Sequence, residues 1–305
     1  MEKLNKQNKA ENSTSKPVFS AALRSDTSSA TVTTKRAYTG KEIIDLYNSG
    51  RRDFRGINAE GANLSGANLQ GVDFKNVRLS GANFVGANLQ KVNLANIDLS
   101  GADFYGVDLS EANLRGADFR GANLQGANLF DVNLSGARFD RSTNLSGAKL
   151  YYANLDGANL SGANLQGADF FRANFQSANL YGADIRYTDL RGAKFHGANL
   201  QDANLSGANL EGANLSGANL RDAYLEGTNL TSSHLQGANL SGANLQGAKL
   251  LFANLSGANI QNAILEGADL FSAKLHDANL QGADLRGAEL EGADFSGASL
   301  IGARR

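Results

Sequence analysis

The chain repeats itself every five residues. Gly61-Ala62-Asn63-Leu64-Ser65 is followed by Gly66-Ala67-Asn68-Leu69-Gln70, and the pattern persists almost to the last residue. With the large apolar residue taken as the centre of each unit, the series runs in fives from Phe54 to Phe139. One extra residue then enters, and the series resumes from Leu145 to Leu300. Of these 50 centres, 49 are Leu, Phe or Ile, and Ala59 is the exception. Two positions before the centre, 38 of 50 residues are Ala; just before it, 39 of 50 are Asn or Asp.

A period of five fits neither the 3.6 of an α-helix nor the 2 of a long strand. A helix would scatter these apolar residues around its whole circumference. The pattern fits a chain that turns after every unit, with the small and the large apolar residue pointing inward on each side. Asn or Asp and Gly are expected at the corner, where side-chain-to-backbone bonding and a permissive φ are needed. Four sides close a coil of about 20 residues, and coils stack at the ordinary strand spacing of ~4.8 Å, giving a rod about 60 Å long.

In these residues the chain resembles the pentapeptide repeat family, whose motif is A-(N/D)-L-x-G, and the resemblance covers about residues 52–302. It implies an all-β fold, a right-handed quadrilateral parallel β-helix, and a bacterial, cyanobacterial-type source. Domain boundaries follow from the flanks. Residues 1–37 are rich in Ser, Thr, Asn and Lys, carry seven basic and three acidic residues, and are expected to be a disordered basic tail. Residues 38–51 read as a short N-terminal capping helix. Thr39-Gly40-Lys41-Glu42 is a capping box, Ile43, Leu46 and Tyr47 share a face, and Gly50 suits the C-terminal end. Residues 52–305 are the solenoid, with its one-residue insertion near 140–144.

Composition narrows function. The absence of Cys removes disulfides, thiolate metal sites and cysteine nucleophiles, and three His leave little for imidazole chemistry. No apolar run reaches the ~20 residues of a membrane span, and the start lacks a signal-peptide core, so a cytoplasmic location and no membrane partner are expected. With 29 basic and 30 acidic residues, direct nucleic-acid binding is not expected. A filled interior leaves no pocket for catalysis or a cofactor. His196 and His276 share a side but lie four coils apart, about 19 Å, too far to share a metal. Catalytic, cofactor and metal sites are therefore all expected to be absent.

Two binding functions remain. The first is a non-catalytic protein-interaction scaffold with a partner of unknown identity. In the 20-residue frame the outward positions Phe130, Tyr151, Phe171, Leu251 and Phe271 fall on one side, joined by Tyr152 and Phe252, and aligned exposed apolar residues mark an interface. A stabilising cross-coil ladder is the plainer reading of the same residues. The second function, implied by the family resemblance, is DNA mimicry toward a type II topoisomerase such as gyrase. Magnitudes oppose it: about 60 Å of duplex carries about 35 negative charges, whereas residues 38–305 hold 22 basic and 27 acidic residues. Finally, the sequence stops in register at Ala303-Arg304-Arg305. The last coil, with Leu285, Leu290, Phe295 and Leu300, is therefore expected to be uncovered and to associate tail to tail with a second copy.

Overall fold

The computed structural model describes residues 36–305; the expected disordered tail lies, up to residue 35, outside them. Its one helix among the described residues, α1, spans Gly40–Asn48. The capping box forms as the residues require: Thr39 Oγ1 accepts from the Glu42 amide at 3.3 Å, and the Glu42 carboxylate accepts from the Thr39 amide at 2.8 Å. That backbone donor, followed by the Arg36 guanidinium, holds the Glu42 carboxyl below its ordinary range. Ile43 is fully buried, and Tyr38, Ile44, Leu46 and Tyr47 pack against the core. The Tyr38 amide donates to Asn58 O at 2.7 Å. Helix and coil approach so closely that a Cβ on Gly40 would sit 1.6 Å from Asn63 O, which only glycine permits.

From Asp53 onward every unit has the same geometry. The residue before nearly every centre forms a parallel bridge with the residue 20 positions later, as in Asn63↔Asn83 or Asn214↔His234. The period is 20, so four pentapeptides make one turn of the coil. A two-residue turn between successive sides leaves only about three residues extended, and each side therefore contributes an isolated bridge rather than a strand. Two backbone bonds sew each bridge, and a third per side, such as Gly217 N to Gln236 O at 3.0 Å, joins the corners. Leu215 N donates to His234 O in the next coil at 2.7 Å, and Asn214 N donates to Ala193 O in the previous one at 2.9 Å.

The corner differs in one respect from the sequence expectation. Asn and Asp occupy the bridged residue on the side, not the corner itself. Their side chains still serve the turn, because Oδ1 accepts the amide two residues on, as in Ser216 N to Asn214 Oδ1 at 3.0 Å. The corner proper is the two residues after the centre, closed by a bond such as Ala62 N to Ala59 O at 3.1 Å. The second of them has positive φ, for example +64° at Gly61, the arrangement of a type II turn. His234 accordingly sits on a bridge, exposed.

Between the four sides, Ala and Leu or Phe fill the interior. Phe84 and Phe104 stack at 4.9 Å, Phe119 and Phe139 at 5.3 Å, and Phe175 and Phe195 at 4.7 Å between ring centroids. Polar intruders in the Ala column are accommodated singly: Thr188 Oγ1 donates to Ile185 O at 2.8 Å and Thr228 Oγ1 to Leu225 O at 2.7 Å. Ser233 Oγ is buried without a partner among the described residues.

The extra residue is absorbed at a single corner. Asn123 bridges Asn144 and Asn128 bridges Lys149, so the pairing offset becomes 21 and the four sides keep their identity. Asp140 replaces the missing ladder contact. Its Oδ1 accepts the amides of Gly121 at 3.1 Å and Ser142 at 2.9 Å and the Thr143 hydroxyl at 3.2 Å. Burial pushes its carboxyl up, but these donors together outweigh that and hold it below the usual carboxylate range.

Two outcomes test this architecture. Leu215, fully buried in a column between Phe195 and Leu235, should tolerate Asp at a cost of several kcal/mol, while Gln246→Asp at an exposed corner should leave the melting temperature unchanged. For Asp140, a depressed folded pKa means stability that is present above the ordinary carboxylate pKa and disappears as pH falls through the folded value. Acid unfolding of Asp140→Asn, followed by circular dichroism below about pH 4, should therefore show a shallower loss of stability than the parent chain, from a lower plateau at neutral pH.

Candidate functional site

The interior offers no room for chemistry, so the site must lie on the outer surface. Each side presents three outward columns: the bridged residue and the two corner residues. Most corner positions with positive φ hold Gly, but sixteen hold other residues, and three of these are aromatic: Tyr152 (φ 62°), Tyr187 (58°) and Phe252 (57°). A bulky L-residue in this region carries backbone strain of about 1–2 kcal/mol. Tyr152, Tyr187 and Phe252 are nevertheless 46%, 64% and 54% exposed, so burial does not compensate for it.

Tyr152 and Phe252 belong to the same corner, and each meets the ring one coil later in the same way. Tyr152 stands edge-on to Phe171 at 5.9 Å and 86°, and Phe252 stands edge-on to Phe271 at 5.8 Å and 89°. Around the first pair, Phe130 lies 4.8 Å from Tyr151 and 6.3 Å from Tyr152, and Tyr151 lies 6.4 Å from Tyr152. The Phe130–Tyr151 contact crosses the insertion, so the extra residue leaves this edge intact. The Arg172 and Arg191 guanidinium carbons sit 5.2 and 5.4 Å from the Phe171 ring centroid.

The seven residues singled out in the sequence therefore share one edge but form two clusters. Phe130, Tyr151, Tyr152 and Phe171 make the first; Leu251, Phe252 and Phe271 make the second. Between them the edge carries Arg191, Glu211 and Thr231, with Gly192, Gly212 and Ser232 beside them. Sequence reasoning missed the two arginines against Phe171, which the 20-residue frame places there directly. It also missed the exposed Tyr105, Tyr181, Tyr187 and Tyr224, which lie on other columns; Tyr187 reaches across Gly207 of the next coil.

At the far end, Leu290, Phe295 and Leu300 are only partly buried. Leu285 departs from the expectation. It is 2% exposed, because the chain continues over it: Leu285 N donates to Arg304 O at 2.7 Å and Asp284 bridges Arg304. The Arg305 guanidinium lies 5.8 Å from the Phe295 ring centroid. His196 and His276 fall on one column, each with Nδ1 against the Ser hydroxyl of the following coil, at 3.1 and 2.8 Å. No group of three or more His, Asp or Glu among the described residues is placed to hold a metal, and no helix is long and apolar enough to cross a membrane.

A parallel four-sided coil with A-(N/D)-L-x-G on every side defines the class, and comparison with known proteins agrees. The model of the pentapeptide repeats matches in overlapping segments from residue 52 to residue 304, and the chain belongs to this family. HetL, a pentapeptide repeat protein involved in heterocyst differentiation regulation from the cyanobacterium Nostoc sp. strain PCC 7120, is 34% identical over 87% of this chain and 98% of its own, with a TM-score of 0.23. Rfr23 from the cyanobacterium Cyanothece 51142 is 40% identical over 35% of this chain and 63% of its own, with a TM-score of 0.24. QnrB1, a plasmid-mediated fluoroquinolone resistance protein, is 24% identical over 70% of this chain and 88% of its own, with a TM-score of 0.37. No match was found among proteins of curated function.

The strain at Tyr152 is measurable. Tyr152→Gly relieves the backbone by about 1–2 kcal/mol and loses ring contacts of about 0.5–1.5 kcal/mol, so its denaturant midpoint should stay close to that of the parent. Tyr152→Val keeps the strain and loses the contacts, and should be less stable than Tyr152→Gly by about 1–2 kcal/mol.

Proposed function

We propose that this protein is a non-catalytic, cytoplasmic interaction scaffold: a right-handed quadrilateral rod, covered at its first coil by α1, that recognises a protein partner through its aromatic edge. The observation that carries this reading is the placement of Tyr152 and Phe252. Aromatic rings occupy strained corner positions where glycine is the local optimum, and they remain about half exposed. Strain held without burial points to selection for the surface it creates. A regulatory role for such a surface is in keeping with HetL, a family member involved in the regulation of differentiation.

Mimicry of duplex DNA calls for a face of one sign. The outward columns here mix signs; one runs Lys149, Asp169, Asp189, Asn209, Asn229, Lys249, Asp269. That pattern favours a protein surface with its own alternating charges.

The test replaces Phe130, Tyr151 and Phe171 together by Ser. These rings touch one another and the outer surface rather than the core, so the melting temperature should fall by no more than a few degrees. Photo-crosslinking from position 152 in cells of the source organism should give protein adducts that the triple variant loses. A triple variant that loses stability while keeping the adducts would identify the rings as a structural ladder instead.

A further inference from the structure

The bridged column beside the aromatic edge has an order that reads sensibly in only one pairing. Six consecutive bridges connect Lys149, Asp169, Asp189, Asn209, Asn229, Lys249 and Asp269, one residue per coil. Lys149, Asp169, Lys249 and Asp269 make no ion pair among the described residues, and both lysines are exposed. Reversing the column about Asn209 sets Lys opposite Asp at both outer levels, and Asp189 opposite Asn229. The adjoining columns have the same symmetry. Tyr151 falls opposite Phe271, Phe171 opposite Leu251, and Arg172 opposite Phe252.

We propose that this edge is the interface of an antiparallel homodimer, two rods side by side, related by a two-fold axis that crosses the interface at Asn209. The proposal deepens the reading of the aromatic edge as a binding surface and rests on it. Such an axis reverses direction along the rod while preserving lateral position, so each column meets its own reversed copy, as an isologous contact requires. Lys149 then faces Asp269 of the second copy, and Asp169 faces Lys249, each contact occurring twice. Aromatic rings meet apolar groups, and Arg172 meets the Phe252 ring, a cation–π pairing like the one it already makes with Phe171.

A parallel pair, related by a two-fold axis along the rods, inverts lateral position, and with the bridged column on that axis each charge meets its own kind. Lys149, Asp169, Asp189, Lys249 and Asp269 would all face themselves, and like charges in contact are strongly unfavourable. One unfavourable contact remains in the antiparallel pair: Glu211 faces its own copy across the axis. Arg191, one coil away and close enough to act on Glu211 electrostatically, tempers it from both rods. The strip is about 30 Å long and 10 Å wide, about 600 Å² over both partners and below the size of a stable specific interface, so the association is weak and transient.

Sedimentation of the full chain at low salt, from about 1 to 100 µM, is the test. A reversible monomer–dimer equilibrium is expected. Lys149→Glu should weaken the dimer at least about tenfold, as should Asp269→Lys, and the double variant Lys149→Glu/Asp269→Lys should return to near the parent affinity. Because the double variant must itself be folded to associate, and a fold broken by one charge reversal is not repaired by adding another on a distant coil, misfolding cannot imitate the expected result. A chain that stays monomeric throughout, a Lys149→Glu variant that associates more strongly, or a double variant as weak as the singles overturns the proposal. A monomeric parent that still yields adducts from position 152 would sink the dimer alone, leaving the scaffold reading in place.

Discussion

Everything in this protein depends on a backbone ladder that closes on itself every 20 residues. Each side has one bridged residue, donating to the coil before it, while the following residue donates to the coil after it. The ladder stays in register because the chain turns by much the same amount at every regular corner, each with a left-handed residue second in its turn; the corner at Asp140, which takes up the extra residue, is held by the Asp140 carboxylate instead. Glycine meets the requirement without strain. Where another residue takes the position, Asn, Asp and Ser are the common choices, consistent with their tolerance of this backbone region. The corner is thus the element that decides whether the rod exists, and the inward Ala and Leu then fill the space that the corners define.

That economy leaves the outward columns free to vary. Asn dominates the bridged column because its side chain does two jobs at once. Oδ1 accepts an amide at the start of the turn, and Nδ2 reaches the Asn one coil away; the run from Asn159 through Asn179, Asn199 and Asn219 is linked at 3.1–3.2 Å. Departures from Asn carry the information. Asp118 gathers Arg120 and Arg138, at 2.7 and 2.6 Å, and these guanidinium groups hold its carboxyl below the ordinary range. Lys149, Asp169, Lys249 and Asp269 of the column through Asn209 are departures of another sort, since they make no ion pair among the described residues, whereas Asp189 in the same column pairs with Arg191 at 2.6 Å. Beside them, rings that the turn disfavours stand exposed. Both features sit on one edge, and that coincidence directs attention there rather than to the ends of the rod.

Much of this was legible in the repeat. A five-residue period, an Ala column and a Leu column predict inward-facing sides, and Ala62, Leu64 and their counterparts are buried accordingly. The capping box at Thr39 and Glu42 was visible because its chemistry is local. The role of Asn was harder to place. Its hydrogen bond to the turn was foreseeable, but whether it stands in the corner or on the side depends on where the ladder pairs, which is a relation between residues 20 apart. Leu285 was misjudged for the same reason: only the path of the chain over it, through Arg304, shows that it is covered.

By itself, the sequence determined which residues face inward, that the chain turns after each pentapeptide, and that seven apolar residues share one edge; periodicity encodes these because every unit repeats the same local geometry. Only the tertiary structure decided that the extra residue is absorbed at Asp140 without rotating the sides, that those seven residues separate into two clusters, and that Tyr152 and Phe252 hold their rings in strained corners. Each of these turns on how one coil meets the next, through hydrogen bonds and ring contacts that span 19 to 21 residues and that no local pattern records.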